Sequence, residues 1–201
     1  MFVAFALGAA FFAAAAYAGI LAASLLRIES LPDGPRPAQP PVLWIIAVSA
    51  IVGGFVTAHA SSPGAIILLA GLCAILAAVC CTDMQYGIVP DVFTILPLAA
   101  LLAYAVAARQ WQIPVSAAVP FFPFAIVAAI SRGKGIGWGD VKLAALGGAV
   151  LGAQTATVAF TLSCFAAVIV AHVRGRRGDP IAFAPYLAGA IAAAMPLGTV
   201  V

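Results

Sequence analysis

The chain has 201 residues, of which 65% are hydrophobic and only 7% charged, with a net charge of +3. A soluble domain carries about a quarter charged residues and leaves much of its surface in water, so these proportions exclude a soluble fold and point to the lipid bilayer as solvent. The nine basic residues are scattered at the ends of apolar runs rather than gathered in a stripe, which excludes a nucleic-acid partner.

Eight apolar segments follow one another, at 2–26, 42–58, 64–82, 92–108, 114–131, 140–152, 155–172 and 182–200. A spanning helix needs roughly 20 residues, so the pattern predicts an all-α integral membrane protein with about eight transmembrane helices. The first segment lacks the basic flank of a secretory signal and reads as a retained helix. Residues 28–41 hold five prolines and form a short loop. His59 to Pro63 reads as a tight turn, Asp83 to Pro90 as a polar link, and 109–113 as a second turn. The glycine-rich stretch RGKGIGWG (132–139) and the basic stretch VRGRRGDP (173–180) are loops. The sixth and seventh segments are parted only by Gly152-Ala153-Gln154. Their combined span of about 33 residues suits two short helices and is too long for one. Gly148 and Gly152 form a GxxxG pair of the kind that permits close helix packing. No repeat or soluble domain interrupts the single polytopic domain, 1–201.

Spanning helices are oriented by their cations. With both termini outside, Arg27, Arg36, Arg132, Lys134, Lys142, Arg174, Arg176 and Arg177 face the cytoplasm and Arg109 alone faces out, an eight-to-one division. In the same orientation all six acids, Glu29, Asp33, Asp83, Asp91, Asp140 and Asp179, fall on that inner face. The four cysteines, Cys73, Cys80, Cys81 and Cys164, lie inside apolar runs with no CxxC pair and read as small buried hydrophobes. No metal site or cofactor is expected.

Two stretches carry ionisable groups of interest. In Thr82-Asp83-Met84-Gln85-Tyr86-Gly87-Ile88-Val89-Pro90-Asp91, Asp83 stands where the third apolar segment ends. A carboxylate beyond a helix C-terminus gains nothing from the dipole, so it is either an interfacial polar residue or a functional one. Asp91, directly after Pro90, reads as a helix cap. In Gly135-Ile136-Gly137-Trp138-Gly139-Asp140-Val141-Lys142-Leu143, alternate glycines give a backbone able to approach another segment closely, and Asp140 reads as the N-cap of the next helix. Lys142 reads as a topology anchor. If folding brings Asp83 and Asp140 together, the two carboxylates share a proton, one activating water and the other polarising a peptide carbonyl, as in aspartic proteases.

DMQYGIVPD resembles the first signature of the type IV prepilin peptidases. GWGDVKLAALGG resembles their GxGD signature, which is shared in outline with presenilin-type intramembrane proteases. Ile181 to Ala190 is similar to the start of that family's final helix, of the form PFxPxLxxG. The resemblance runs over 64–200, the expected peptidase core, and implies a GxGD aspartyl endopeptidase bundle. Its catalytic residues would be Asp83 and Asp140, with carboxylates within about 10 Å of one another in a free enzyme. Gly137, Gly139, Lys142, Pro90, Asp91 and Pro185 would support them. The implied substrate is a prepilin or pseudopilin of a type IV pilus or protein-secretion system, cut at the cytoplasmic face of the inner membrane after a glycine that ends a short basic leader. Larger members carry paired CxxC motifs in an insertion after the first helix, associated with N-methylation. Residues 28–41 hold no cysteine, so methyltransferase activity is not expected. A small transporter and a non-catalytic scaffold of a pilus or secretion complex are the competing readings. Clustering of the acids at one face rather than mid-membrane counts against the first, and retention of both aspartates counts against the second. Oligomeric state leaves no mark in the sequence.

Overall fold

The computed structural model describes residues 2–26, 41–59, 62–131, 136–173 and 182–197. The loop at 28–41 lies almost wholly outside them, as do Arg27, Arg132, Lys134, the basic stretch from Arg174 onward and Ile181. Among the described residues the chain is helical throughout, with eight α-helices and two short 3-10 turns. Five of the helices are long and apolar enough to cross a membrane, and the whole is an all-α membrane bundle. The chain divides into two compact units, residues 1–88 and 89–201.

The first unit holds α1 (Phe2–Leu25), α2 (Val42–His59) and α3 (Pro63–Tyr86). Helix α1 buries mostly small residues, Phe12 excepted, and exposes large ones. The buried face of α1 is Gly8, Phe12, Ala16, Gly19 and Ala23, while Phe2, Leu7 and Leu25 lie exposed. That inversion suits lipid, which wets large apolar side chains and leaves close backbone packing to hold helices together. At Gly19 the approach is closest, because a Cβ there would run into the Ala74 carbonyl of α3. Helix α3 opens with Ser62 as its cap, the Oγ accepting from the Ala65 N–H at 3.2 Å.

Helix α3 does not stop at Cys81 or Thr82. It runs one further turn to Tyr86, and Gly87, at φ 64°, ends it in the left-handed region with its N–H donating to the Asp83 carbonyl at 2.8 Å. The change from apolar to polar residues had predicted the end a turn too early. Backbone hydrogen bonding continues through polar residues, and only glycine adopts the terminating conformation without strain.

The second unit holds α4 (Ile95–Ala107), α5 (Gln112–Ile130), α6 (Trp138–Leu151), α7 (Ala153–Val173) and α8 (Ala184–Ala194). A 3-10 turn over Asp91–Phe93 precedes α4. The joint between α6 and α7 is a single residue, Gly152, at φ 82°, so 140–172 does form two helices. Gly152 therefore ends α6, so the second glycine of the GxxxG pair serves as a helix cap. Helix α6 is the centre of this unit and packs against α4, α5, α7 and α8. Gly147 and Gly148 open it to neighbours on two sides. A Cβ at Gly147 would come within 2.6 Å of Phe160 and 2.7 Å of Ile191, and one at Gly148 would meet the Ser116 carbonyl and Pro120. Pro120 stands inside α5 and has no N–H for the Ser116 carbonyl, so Gly148 rests where α5 lacks a ladder bond.

Candidate active site

Asp83 occupies the last turn of α3 and is 8% exposed. No cation stands in that turn, and the carbonyl end of a helix favours none but cations. Thr82 beside it is fully buried, its hydroxyl donating to the Ala78 and Val79 carbonyls at 3.1 and 3.2 Å. The backbone that carries Asp83 is thus helical on both sides, which fixes the direction of its side chain far better than a free link would.

Asp140 occupies the opposite kind of helix end. The cap of α6 is Gly137, not Asp140, which sits three residues in. That differs from the sequence expectation because Asp140 reaches backward. Its Oδ2 accepts from the Gly137 N–H at 3.1 Å, one half of a capping box. The other oxygen, Oδ1, is buried without a hydrogen-bond partner among the described residues. Such an atom pays the desolvation cost of a buried acceptor. Asp140 is 7% exposed and stands outside the five helices long enough to cross the membrane. Burial pushes its carboxyl up to about 6, against the opposing pull of the Gly137 N–H.

The other expected site residues fall in three places. Gly139 touches Val89: a Cβ on Gly139 would lie 2.6 Å from Val89 Cβ. Pro90, at φ −64°, leads into the 3-10 turn that Asp91 begins. Asp91 makes no side-chain cap there and instead accepts from Lys142 Nζ at 2.5 Å, so the cap expected of Asp91 gives way to an ion pair with Lys142. Pro185 stands in the first turn of α8, away from these contacts, behind Phe183. The Phe183 ring lies 6.2 Å from Phe124 and 6.5 Å from Tyr186, and so ties the start of α8 to α5. Sequence reasoning had passed over Val89, Thr82 and Thr94. Thr94 is fully buried with its hydroxyl unpartnered among the described residues; a hydroxyl inside an apolar segment was the available signal. Groups of three or more His, Cys, Asp or Glu side chains placed to hold a metal are absent among the described residues.

Asp83 belongs to the first unit and Asp140 to the second. Both lie within residues 69–172, which match the model of the type IV leader peptidase family. Two curated proteins of Burkholderia pseudomallei, from strains 1026b and K96243, are each named prepilin leader peptidase/N-methyltransferase. Each is 32% identical to this chain over 175 residues, covering 77% of the chain and 53% of the relative. The chain thus spans about half the length of the curated relatives it matches. No solved structure matches it. With half of its length matched by the family and both signature aspartates inside that match, the chain belongs to the type IV leader peptidase family.

Proposed function

We propose that the chain is a membrane-embedded aspartyl endopeptidase that removes the leader of prepilins or pseudopilins, with residues 64–200 as its core. The observation that carries this reading is Asp140: a buried carboxylate in the first turn of a central helix, one oxygen held by a backbone N–H and the other left without a partner. An acceptor in that state is made to receive a proton or a water. A carboxyl near 6 is also well matched to general-base work close to neutral pH. In this reading Asp140 draws the proton from water while Asp83 polarises the scissile carbonyl.

The family match supports the pairing, because both aspartates lie within residues 69–172. The eight-to-one division of basic residues supports cleavage at the cytoplasmic face of the inner membrane, with both termini outside. The chain's four cysteines form no CxxC pair, which supports leader removal without methylation, although both relatives carry N-methyltransferase in their names.

The test is co-expression with a prepilin substrate. Wild type should yield the shortened product, and Asp83→Asn and Asp140→Asn should each leave the leader attached. Processing by either variant at the wild-type rate would remove the dyad.

A further inference from the structure

Helix α6 presents an oddity. From Asp140 to Leu151 every residue is buried except Lys142. A cation on a central helix surrounded by four others needs a reason, and its Nζ is not left to solvent. It meets Asp91 Oδ1 at 2.5 Å, across 51 residues of sequence. Two residues before Asp91, Val89 lies against Gly139. Gly139 and Lys142 are three apart on α6, hence on one face, and they bracket Asp140, which lies about 100° round the helix from Gly139. The segment Val89-Pro90-Asp91 therefore grips the first turn of α6 at two points on a single face. Its own conformation is held by Pro90 and by the 3-10 turn, where the Thr94 N–H donates to the Asp91 carbonyl at 3.1 Å.

We propose that Asp91 and Lys142, together with Val89 seated on Gly139, form a clasp that sets the rotation of the first turn of α6 and so aims the Asp140 carboxylate. Asp91 and Lys142 are then positioning residues. The proposal rests on the reading of Asp140 as a catalytic group. The side chains of the pair are 30% and 60% exposed, and ion pairs so open to solvent contribute little to folding. Breaking this one leaves the fold and costs turnover. A lone topology anchor at Lys142 makes the opposite demand: Asp91 becomes irrelevant.

The experiment measures kcat and KM for a prepilin substrate with the full chain in detergent or liposomes, alongside thermal unfolding. Asp91→Asn and Lys142→Gln are each expected to lower kcat about ten- to a hundredfold, the scale of a misaimed reactive group, with KM and the unfolding midpoint little changed. The exchanged pair, Asp91→Lys with Lys142→Asp, is expected to recover most of the loss. Wild-type kcat in Asp91→Asn, or a loss confined to KM, overturns the clasp, as does failure of the exchanged pair to exceed both single variants. Unfolding of either single variant overturns it too, because the pair would then be holding the fold. Wild type and Asp140→Asn are run in parallel. If wild type does not cleave, or Asp140→Asn cleaves normally, the peptidase reading fails. If both behave as expected and Asp91→Asn is unaffected, the clasp fails alone.

Discussion

Adding one methyl group at Gly139 probes the tightness of its contact with Val89. An ideal Cβ on residue 139 would lie 2.6 Å from Val89 Cβ, 3.2 Å from Cγ2 and 3.5 Å from Cγ1. Carbon atoms rest comfortably at about 3.5–4.0 Å, so the first contact is short by roughly 1 Å. Val89 Cβ is bonded to its own backbone, and no rotamer change moves it. Gly139→Ala must therefore displace residues 89–91 from α6 by about 1 Å. Overpacking of this kind costs about 1–3 kcal/mol, against at most about 1 kcal/mol recovered from the better helix propensity of alanine. A net loss of up to about 2 kcal/mol in stability is expected in a thermal or denaturant scan. Turnover of a prepilin substrate is expected to suffer more, by up to about a hundredfold, because a displacement of that size misplaces reacting groups. Rescue is specific. Val89→Gly in the same chain removes the opposing Cβ and restores packing, whereas Val89→Ala keeps that Cβ and does not. Wild-type unfolding and turnover in Gly139→Ala would refute the contact, and equal rescue by Val89→Ala and Val89→Gly would refute its geometry.

Burial that raises the Asp140 carboxyl from 3.8 to about 6 means the folded chain binds more protons than the unfolded one between those values. Stability contributed by protonated Asp140 is full below about 4 and is lost as pH rises through about 6. Asp140→Asn should flatten that part of a plot of unfolding midpoint against pH, and an unchanged slope would contradict it. Gly148→Ala and Gly71→Ala should move stability in opposite directions in a thermal scan. The first drives a Cβ into the Ser116 carbonyl and Pro120 of α5 and costs about 1–3 kcal/mol. The second meets nothing within 4 Å inside α3 and gains about 0.5–1 kcal/mol; the same sign for both would show that the two sites are packed alike.

The helical membrane architecture was legible in composition alone, since lipid is the only solvent that accepts so apolar a chain. Helix ends were less so. The end of α3 was read from hydropathy, which changes at Asp83, but the deciding residue is Gly87, whose left-handed conformation leaves no trace in polarity. The start of α6 was read at Asp140 because aspartate is a common cap; the side chain in fact reaches back to the Gly137 N–H from the third position. In both cases the structure sets inside a helix an aspartate that the sequence places at its edge, and there its direction is fixed. The pairing of Asp91 with Lys142 was beyond a single sequence, because residues 51 apart meet only through packing that periodicity does not encode. Each had a plausible local role that concealed the shared one.

Helix α6 has 14 residues, a length of about 21 Å, while the hydrocarbon core of a bilayer is about 30 Å thick. The helix falls about 9 Å short of that thickness. At its far end the backbone is closed, since the Gly152 N–H donates to Gly148 and the Gly152 carbonyl accepts from the Ala156 N–H. At the near end leading donors are engaged as well, the Gly137 N–H by Asp140 Oδ2 and the Asp140 N–H by the Gly137 carbonyl. With its far end at Gly152 no more than about 21 Å from its first turn, α6 cannot place Asp140 and Gly152 at opposite faces of that core, which separates it from the five helices that are long enough to cross.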